Sequence, residues 1–254
     1  MDLFSLEGKT ALITGSTKGI GKAIAMRMAE QGARVVISSR NQDACDEVAA
    51  EVRKTGAEAL ALACNINHVD QLKALVQATE KAWGRIDVLV CNAALNPYFG
   101  PSQTITDAAF DKIMRANIGS VHRLCQLVIP SMAKHGGGAV IIVSSIAGLK
   151  GSDTLGAYGI SKAADMQIAR NLAVEWGPKN IRVNCIAPGL VKTDFARALW
   201  EDPEIYEATV AKYPLRRIGE PDEIAGAAIF LAAPAGNFTT GQTFVIDGGG
   251  TIAG

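Results

Sequence analysis

Short apolar runs alternate with longer segments of helical period along the whole chain, a pattern that predicts an α/β fold with helices covering both faces of a parallel sheet. Seven runs read as strands: Lys9–Thr14, Ala33–Ser38, Ala59–Ala63, Ile86–Cys91, Ala139–Val143, Ile181–Ala187 and Thr243–Ile246. Ala139-Val140-Ile141-Ile142-Val143 is apolar at every position, which fits a central strand buried on both faces. Between the first two runs, Ile20, Ile24 and Met28 recur at helical spacing. Gly32 follows them, where a helix C-terminus favours a left-handed residue. No Pro/Gly/Ser-rich linker, low-complexity tract or repeat divides the pattern, so we expect one doubly wound domain spanning residues 1–254 with a seven-stranded parallel sheet.

Composition narrows the classes of partner. At 254 residues and 48% hydrophobic, the chain can bury a sizeable core. The 25 cationic and 25 anionic side chains cancel, so no overall field draws it to nucleic acid or an anionic membrane, and a small-molecule partner is expected. Cys45, Cys64, Cys91, Cys125 and Cys185 are scattered without a C-x-x-C pair and read as buried, reduced thiols, with no metal site. No apolar run approaches the ~20 residues needed to span a bilayer, and the first residues lack the regions of a signal peptide. The expected location is the cytoplasm.

The turn joining the first strand to the first helix reads Thr14-Gly15-Ser16-Thr17-Lys18-Gly19-Ile20-Gly21. Here Gly15 permits a tight turn, Gly19 lets backbone N–H groups approach a pyrophosphate at the positive helix end, and Gly21 allows close helix-to-strand packing. Such glycines also occur in ordinary turns; their setting in a Rossmann-type sheet favours a dinucleotide. The second strand ends Ser38-Ser39-Arg40, and Ser39 occupies the place where a carboxylate would bind the ribose 2′-OH of NAD. Arg40 follows it, and Lys18 precedes the second glycine. Either cation alone reads as a solvated charge, but their joint placement suits a 2′-phosphate and favours NADP(H).

The densest chemistry lies between Val143 and Lys162. Tyr158 and Lys162, four residues apart, share one helix face, and an ammonium beside a phenol stabilises the phenolate, which makes Tyr158 a usable general acid/base. A lone Y-x-x-x-K is common as a surface pair. Ser145 changes its meaning: it lies 13 positions before Tyr158, just past an apolar strand, so its hydroxyl can emerge at the sheet edge where ligands bind. Ser144 should point to the opposite side.

Taken in order, T-G-x-x-x-G-I-G, Asn92-Ala93-Ala94, Asn117, Ser145, Tyr158-x-x-x-Lys162 and Pro188-Gly189 make the chain similar, over nearly its whole length, to the short-chain dehydrogenase/reductase family. Blocks such as Ser38-Ser39-Arg40, Asn96-Pro97-Tyr98-Phe99-Gly100 and residues 180–190 resemble its NADP-dependent carbonyl/retinal reductase subgroup, peroxisomal in mammals. The resemblance implies hydride transfer between nicotinamide and a carbonyl or secondary alcohol. Ser145 would hydrogen-bond the substrate oxygen, Tyr158 transfer its proton, Lys162 hold the nicotinamide ribose, and Asn117 position a water. Standing alone, Asn117 reads as a helix-interior residue satisfied by backbone. Besides the glycine turn (Gly15 to Gly21), Ser39 and Arg40, the implied cofactor contacts are Asn65, Ile66, Asn92, Ala93, Ala94, Tyr158, Lys162, Pro188, Gly189, Val191 and Thr193. Residues 190–216 would form a mobile substrate lid. Its Phe195, Leu199 and Tyr206 would line an apolar pocket with Leu95, Tyr98, Leu149 and Leu155, although any one of them could instead pack the lid on the body. A homotetramer formed through the long helices containing Asn117 and Tyr158 is implied as well.

Three departures qualify the likeness. Cys91-Asn92-Ala93-Ala94 replaces the usual Asn-Asn-Ala-Gly, Asn65 stands where an aspartate is common, and Thr-Ile-Ala-Gly at the end lacks a peroxisomal Ser-Lys-Leu signal. Alternatives stay open: an oxidative secondary-alcohol or hydroxysteroid dehydrogenase, or a 3-oxoacyl-thioester reductase whose basic entrance would be Lys212, Arg216 and Arg217. A nucleotide-binding sensor would keep the glycine turn but has no need of Ser145, Tyr158 and Lys162 together.

Overall fold

Each of the seven apolar runs forms a strand in the computed structural model, which describes residues 2–253. They are β1 (Thr10–Thr14), β2 (Arg34–Ser38), β3 (Ala59–Ala61), β4 (Val88–Cys91), β5 (Gly138–Val143), β6 (Ile181–Pro188) and β7 (Thr243–Ile246). All pair in parallel, in the order β3-β2-β1-β4-β5-β6-β7. The edge strand β3 is shorter than its apolar run. Beyond Ala61 the Leu62 and Cys64 N–H groups still donate to the Ile37 and Ser39 carbonyls, while the Gln42 side chain satisfies the alternate backbone groups, donating to the Ala61 carbonyl at 3.1 Å and accepting from the Ala63 N–H at 2.9 Å.

The helices among the described residues are α1 (Gly19–Glu30), α2 (Gln42–Lys54), α3 (Val69–Trp83), α4 (Asp107–Ile113), α5 (Ser120–Lys134), α6 (Gly156–Trp176), α7 (Arg197–Trp200), α8 (Pro203–Val210) and α9 (Pro221–Ala232). A π-turn, Met114–Gly119, joins α4 to α5. Ile24 and Met28 of α1 are fully buried, and Gly32 follows the helix at φ +91°, as its position in the sequence predicts. The continuous apolarity of β5 is explained by two cores. Ile141 and Val143 pack on the side of α1, α2 and α9, while Val140 and Ile142 pack on the side of α3, α5 and α6. All five cysteines are buried, free thiols. Among the described residues no helix is long and apolar enough to cross a membrane.

Strand order reverses between β1 and β4, and a crevice outside the C-terminal ends of the strands at such a switch point is where open α/β sheets bind ligands. Thr14 and Asn92 tie the two strand ends together. The Thr14 hydroxyl accepts from the Asn92 and Ala93 N–H groups at 3.1 and 3.2 Å and donates to the Val90 carbonyl at 3.3 Å. The Asn92 amide donates to the Thr14 and Gly15 carbonyls at 3.0 and 3.1 Å.

Candidate active site

A cleft of about 930 Å³ opens over this switch point, at the upper end of the range for ligand sites. Its floor is the glycine turn. Gly15 has φ +67°, and a Cβ there would lie 2.9 Å from Asn92 Nδ2 and 3.1 Å from Ala93 Cα. Gly19 has φ +52°, and a Cβ would lie 2.9 Å from the Thr193 methyl, so this glycine also makes room for the 190–216 segment to close on the turn. A Cβ on Gly21 would strike the Gly15 carbonyl and the Asn92 amide. Ile20 lines the cleft beside them.

Ser16 and Thr17, like Gly21, do not take part in that lining. Ser16 is buried beneath it: its hydroxyl donates to the Ile13 carbonyl at 2.8 Å and accepts from the Ser38 N–H at 2.8 Å, while its own N–H donates to the Ser38 carbonyl at 3.1 Å. Those hydrogen bonds anchor the turn to β2. Thr17 is half-buried and lies outside the lining.

At the β2 rim, Ser39 and Arg40 face the cleft, and Arg40 forms no ion pair among the described residues. Lys18 sits 3.1 Å from Asp194 Oδ2, so the ammonium already has a carboxylate partner on the opposite wall. Hydrogen bonds from Lys18 and then Arg197 hold the Asp194 carboxyl below the usual carboxylate range. Asn65 and Ile66 line the same end. The Asn65 side-chain oxygen accepts from the Asn67 N–H and amide at 3.1 and 3.2 Å, leaving its own amide as the group it offers to a ligand. Ala93, Ala94, Pro188, Gly189, Val191 and Thr193 complete this wall.

Ser145, Tyr158 and Lys162 come together on the far side of the cleft. Ser144 and Ser145 diverge as strand alternation requires. The buried Ser144 hydroxyl donates to the Lys162 carbonyl at 2.8 Å, whereas Ser145 Oγ accepts from the Ala147 N–H at 3.1 Å and keeps its proton to donate. Gly148 brings the serine loop against α6: a Cβ there would lie 2.6 Å from Ala163 N and 2.7 Å from the Lys162 carbonyl carbon. Lys162 is buried, with Nζ 2.9 Å from the Val143 carbonyl, 3.1 Å from Asp165 Oδ2 and 5.8 Å from the Tyr158 ring centroid. Burial opposes its charge, but Asp165 and the nearby Tyr158 outweigh burial and hold the ammonium above the ordinary lysine range.

Asn117 occupies the π-turn and is buried. Its amide donates to the Leu95 carbonyl and Ser161 Oγ, each at 3.0 Å, and its oxygen accepts from the Leu95 N–H at 2.9 Å. One acceptor lone pair of the side chain remains for a water. Ser161 passes the connection on, donating to the Tyr158 carbonyl at 2.7 Å. In the sequence Ser161 stands as a spacer inside Y-x-x-x-K, and neither Gly148 nor Asp165 carries a motif signal of its own.

Of the expected apolar lining, Leu95, Leu155, Phe195 and Leu199 face the cleft, and the Phe195 ring lies 6.2 Å from that of Tyr158. Tyr98, Leu149 and Tyr206 do not. Tyr98 turns its hydroxyl to the Pro101 carbonyl at 2.8 Å and Thr104 Oγ1 at 2.6 Å, and Leu149 is 48% exposed outside the lining. Tyr206 lines a separate hollow of about 490 Å³ with Lys192, Trp200 and Arg217. The helical register that would have aligned Phe195, Leu199 and Tyr206 is reset where Asp202 caps the new helix α8. Of the suggested basic entrance, Arg217 is clamped to both Glu223 oxygens at 2.6 and 2.7 Å, and Arg216 is bonded to the Ala211 carbonyl.

The arrangement fits a dinucleotide: a cradle that side chains would fill, helix N–H groups above it, and an acid/base pair at the other end. Comparison with known proteins agrees. A family model described as enoyl-(acyl carrier protein) reductase matches residues 15–251. Dehydrogenase/reductase SDR family member 4 from Bos taurus is 42% identical over 244 residues, which cover 96% of this chain and 88% of that protein. The Homo sapiens protein of the same name gives the same identity and coverage. A 7α-hydroxysteroid dehydrogenase solved with NADH and 7-oxo glycochenodeoxycholic acid superposes with a TM-score of 0.95 at 39% identity, covering 98% of this chain and 96% of that one. A gluconate 5-dehydrogenase from Burkholderia cenocepacia, solved with NADP and tartrate, has a TM-score of 0.95 at 34% identity, covering 100% and 99%.

Proposed function

The chain belongs to the short-chain dehydrogenase/reductase family, oxidoreductases acting on CH–OH/C=O groups with NAD(P)(H), and from that premise we propose that it reduces apolar ketones or aldehydes with NADPH, or runs the reverse oxidation. The observation that carries the reading is the meeting of Ser145, Tyr158 and Lys162 on one wall of the cleft. When bound, the nicotinamide supplies or accepts the hydride. Ser145 donates its unspent proton in a hydrogen bond to the substrate oxygen and orients it, and Tyr158 delivers the proton that completes the alcohol. Lys162 keeps a positive charge beside the phenol. Asn117, through Ser161, fixes the backbone of the helix turn that carries Tyr158.

Leu95, Leu155, Phe195 and Leu199 support an apolar substrate, because sugar hydroxyls would be desolvated there without partners. The lack of a carboxylate at Ser39 and the unpaired Arg40 support NADP(H). A hydroxysteroid-type substrate is the second reading, favoured by the likeness to a structure holding a 7-oxo bile acid. A thioester substrate finds less support, since Arg216 and Arg217 are already engaged. The five free thiols suit a reducing, cytoplasmic setting. A homotetramer through α5 and α6 belongs to the same reading, with Val174 and Ile160 on α6 left 82% and 56% exposed as apolar surface for another copy to cover.

Tyr158→Phe tests the reading directly. It removes the transferable proton and little volume, so turnover should fall by about 10²-fold or more, while NADPH binding, read by fluorescence titration, stays near wild type. Retention of more than about a tenth of the wild-type rate would overturn the assignment.

A further inference from the structure

Asp165 lies on α6 three residues beyond Lys162 and seven beyond Tyr158, on the same helix face, and is fully buried. One of its oxygens, Oδ2, is 3.1 Å from Lys162 Nζ; the other, Oδ1, has no hydrogen-bond partner among the described residues. Lys162 thus spends two of its three N–H donors on Val143 and Asp165, which fixes the ammonium from below and leaves the third on the side of the cleft. A buried carboxylate with an unsatisfied oxygen is unfavourable for folding, and an apolar residue could fill such a helix position without that penalty. The charge therefore calls for a functional account.

The groups facing the Lys162–Asp165 pair come from every neighbouring element: Cys185 on β6, whose Sγ donates to the Asp165 carbonyl at 3.4 Å, Cys91 on β4, Cys125 on α5, and Tyr158 and Arg170 on α6. Burial and Asp165 push the Cys185 thiol up, and hydrogen bonding to Cys125 together with burial pushes Cys91 up, so neither of these thiols is an anion at working pH. Burial holds the Asp165 carboxyl above the usual carboxylate range, opposed by the Lys162 ammonium 3.1 Å away; paired with that ammonium, Asp165 supplies the negative charge beneath it.

We propose that Asp165 is a positioning residue of the reaction, holding the Lys162–Tyr158 pair in its proton-bearing form and setting the pH at which that pair lets a proton go. The inference rests on the reading of Tyr158 as the proton donor. An anion beside the pair makes loss of a proton from either member harder. Carbonyl reduction needs the proton on Tyr158 and the positive charge of Lys162 beside it, so its rate falls on the alkaline side once the coupled pair has lost a proton. Neutralising Asp165 eases that loss and moves the alkaline limb to lower pH. A packing role alone would change stability or the height of the profile and leave the limb in place.

The test is the pH profile of kcat for NADPH-dependent carbonyl reduction in wild type and Asp165→Asn, with Tm measured alongside. The isosteric variant should stay folded and shift its alkaline limb down by about one to three pH units, the range for a lost opposite charge at close contact. An unshifted limb, whatever the rate, overturns the proposal. Should Asp165→Asn fail to fold, Asp165→Ala is titrated with formate, which can enter the space left behind. Formate-dependent return of the limb towards its wild-type position supports the proposal, and indifference to formate overturns it. Collapse of both variants would assign Asp165 to the fold and overturn it too. Tyr158→Phe is assayed in parallel. If that variant stays active, the proton-donor reading fails; if it is inactive and the Asp165→Asn limb is unmoved, only the present inference fails.

Discussion

Arg40 stands exposed on the cleft rim without a carboxylate partner among the described residues, whereas Lys18 across the glycine turn is paired with Asp194 at 3.1 Å. A 2′-phosphate would meet an available guanidinium, but it would compete with Asp194 for the ammonium. Charge-assisted hydrogen bonds contribute about 1.5–3 kcal/mol, roughly tenfold to hundredfold in affinity before salt screening. Arg40→Ala should therefore lower kcat/KM for NADPH by about tenfold or more, and Lys18→Ala by less. Ser39→Asp combined with Arg40→Ala adds a ribose-binding carboxylate and removes the phosphate partner, so preference should invert towards NADH. The measurement is kcat/KM for both cofactors at fixed ionic strength. Wild-type preference for NADH would show that Arg40 is only a solvated charge.

The serine loop and α6 act as one piece because small residues let them touch. Gly148 faces the backbone of Lys162 and Ala163, and Ser144 is bonded to the Lys162 carbonyl, so Ser145 is held in register with Tyr158. An alanine at Gly148 cannot be accommodated by a rotamer change, since the atoms it meets are main chain. Gly148→Ala should push the loop from the helix, and a displacement of ~1 Å between reacting groups costs on the order of 10²-fold in rate. Steady-state kcat with Tm and cofactor affinity as controls checks this. Wild-type kcat would mean that the loop finds its register by other contacts. At the opposite end of the sheet a different device serves packing: the buried Arg182 guanidinium of β6 donates to the Leu231, Ala232 and Gly236 carbonyls and so caps the C-terminus of α9.

The cleft draws its walls from the ends of β1, β2, β5 and β6, from the loop after β4 and from the 190–216 segment, so a ligand seated there bridges both halves of the sheet. NADPH at about 100 times its Kd should stabilise the fold by about 2.7 kcal/mol, a rise in Tm of about 5–10 °C for a chain of this size, and NADH at equal concentration should raise it less. Equal shifts in a thermal melt would count against the NADP reading. The seven strands, the two-sided burial of β5, the turn glycines and the shared face of Tyr158 and Lys162 were all legible in the sequence. Each is a local matter, set by apolar period, backbone freedom or helical spacing within one element. Partnerships across elements were not legible. Thr14 and Asn92 meet from 78 residues apart, Gly19 meets Thr193, and Lys18 meets Asp194. The same holds for Ser16 turned inward, Tyr206 carried off the cleft by the break before α8, and Asp165 sealed beneath Lys162 where an isolated helix would leave it in water. Local pattern specifies which stretches are buried; only the packing of remote elements specifies what each polar side chain then faces.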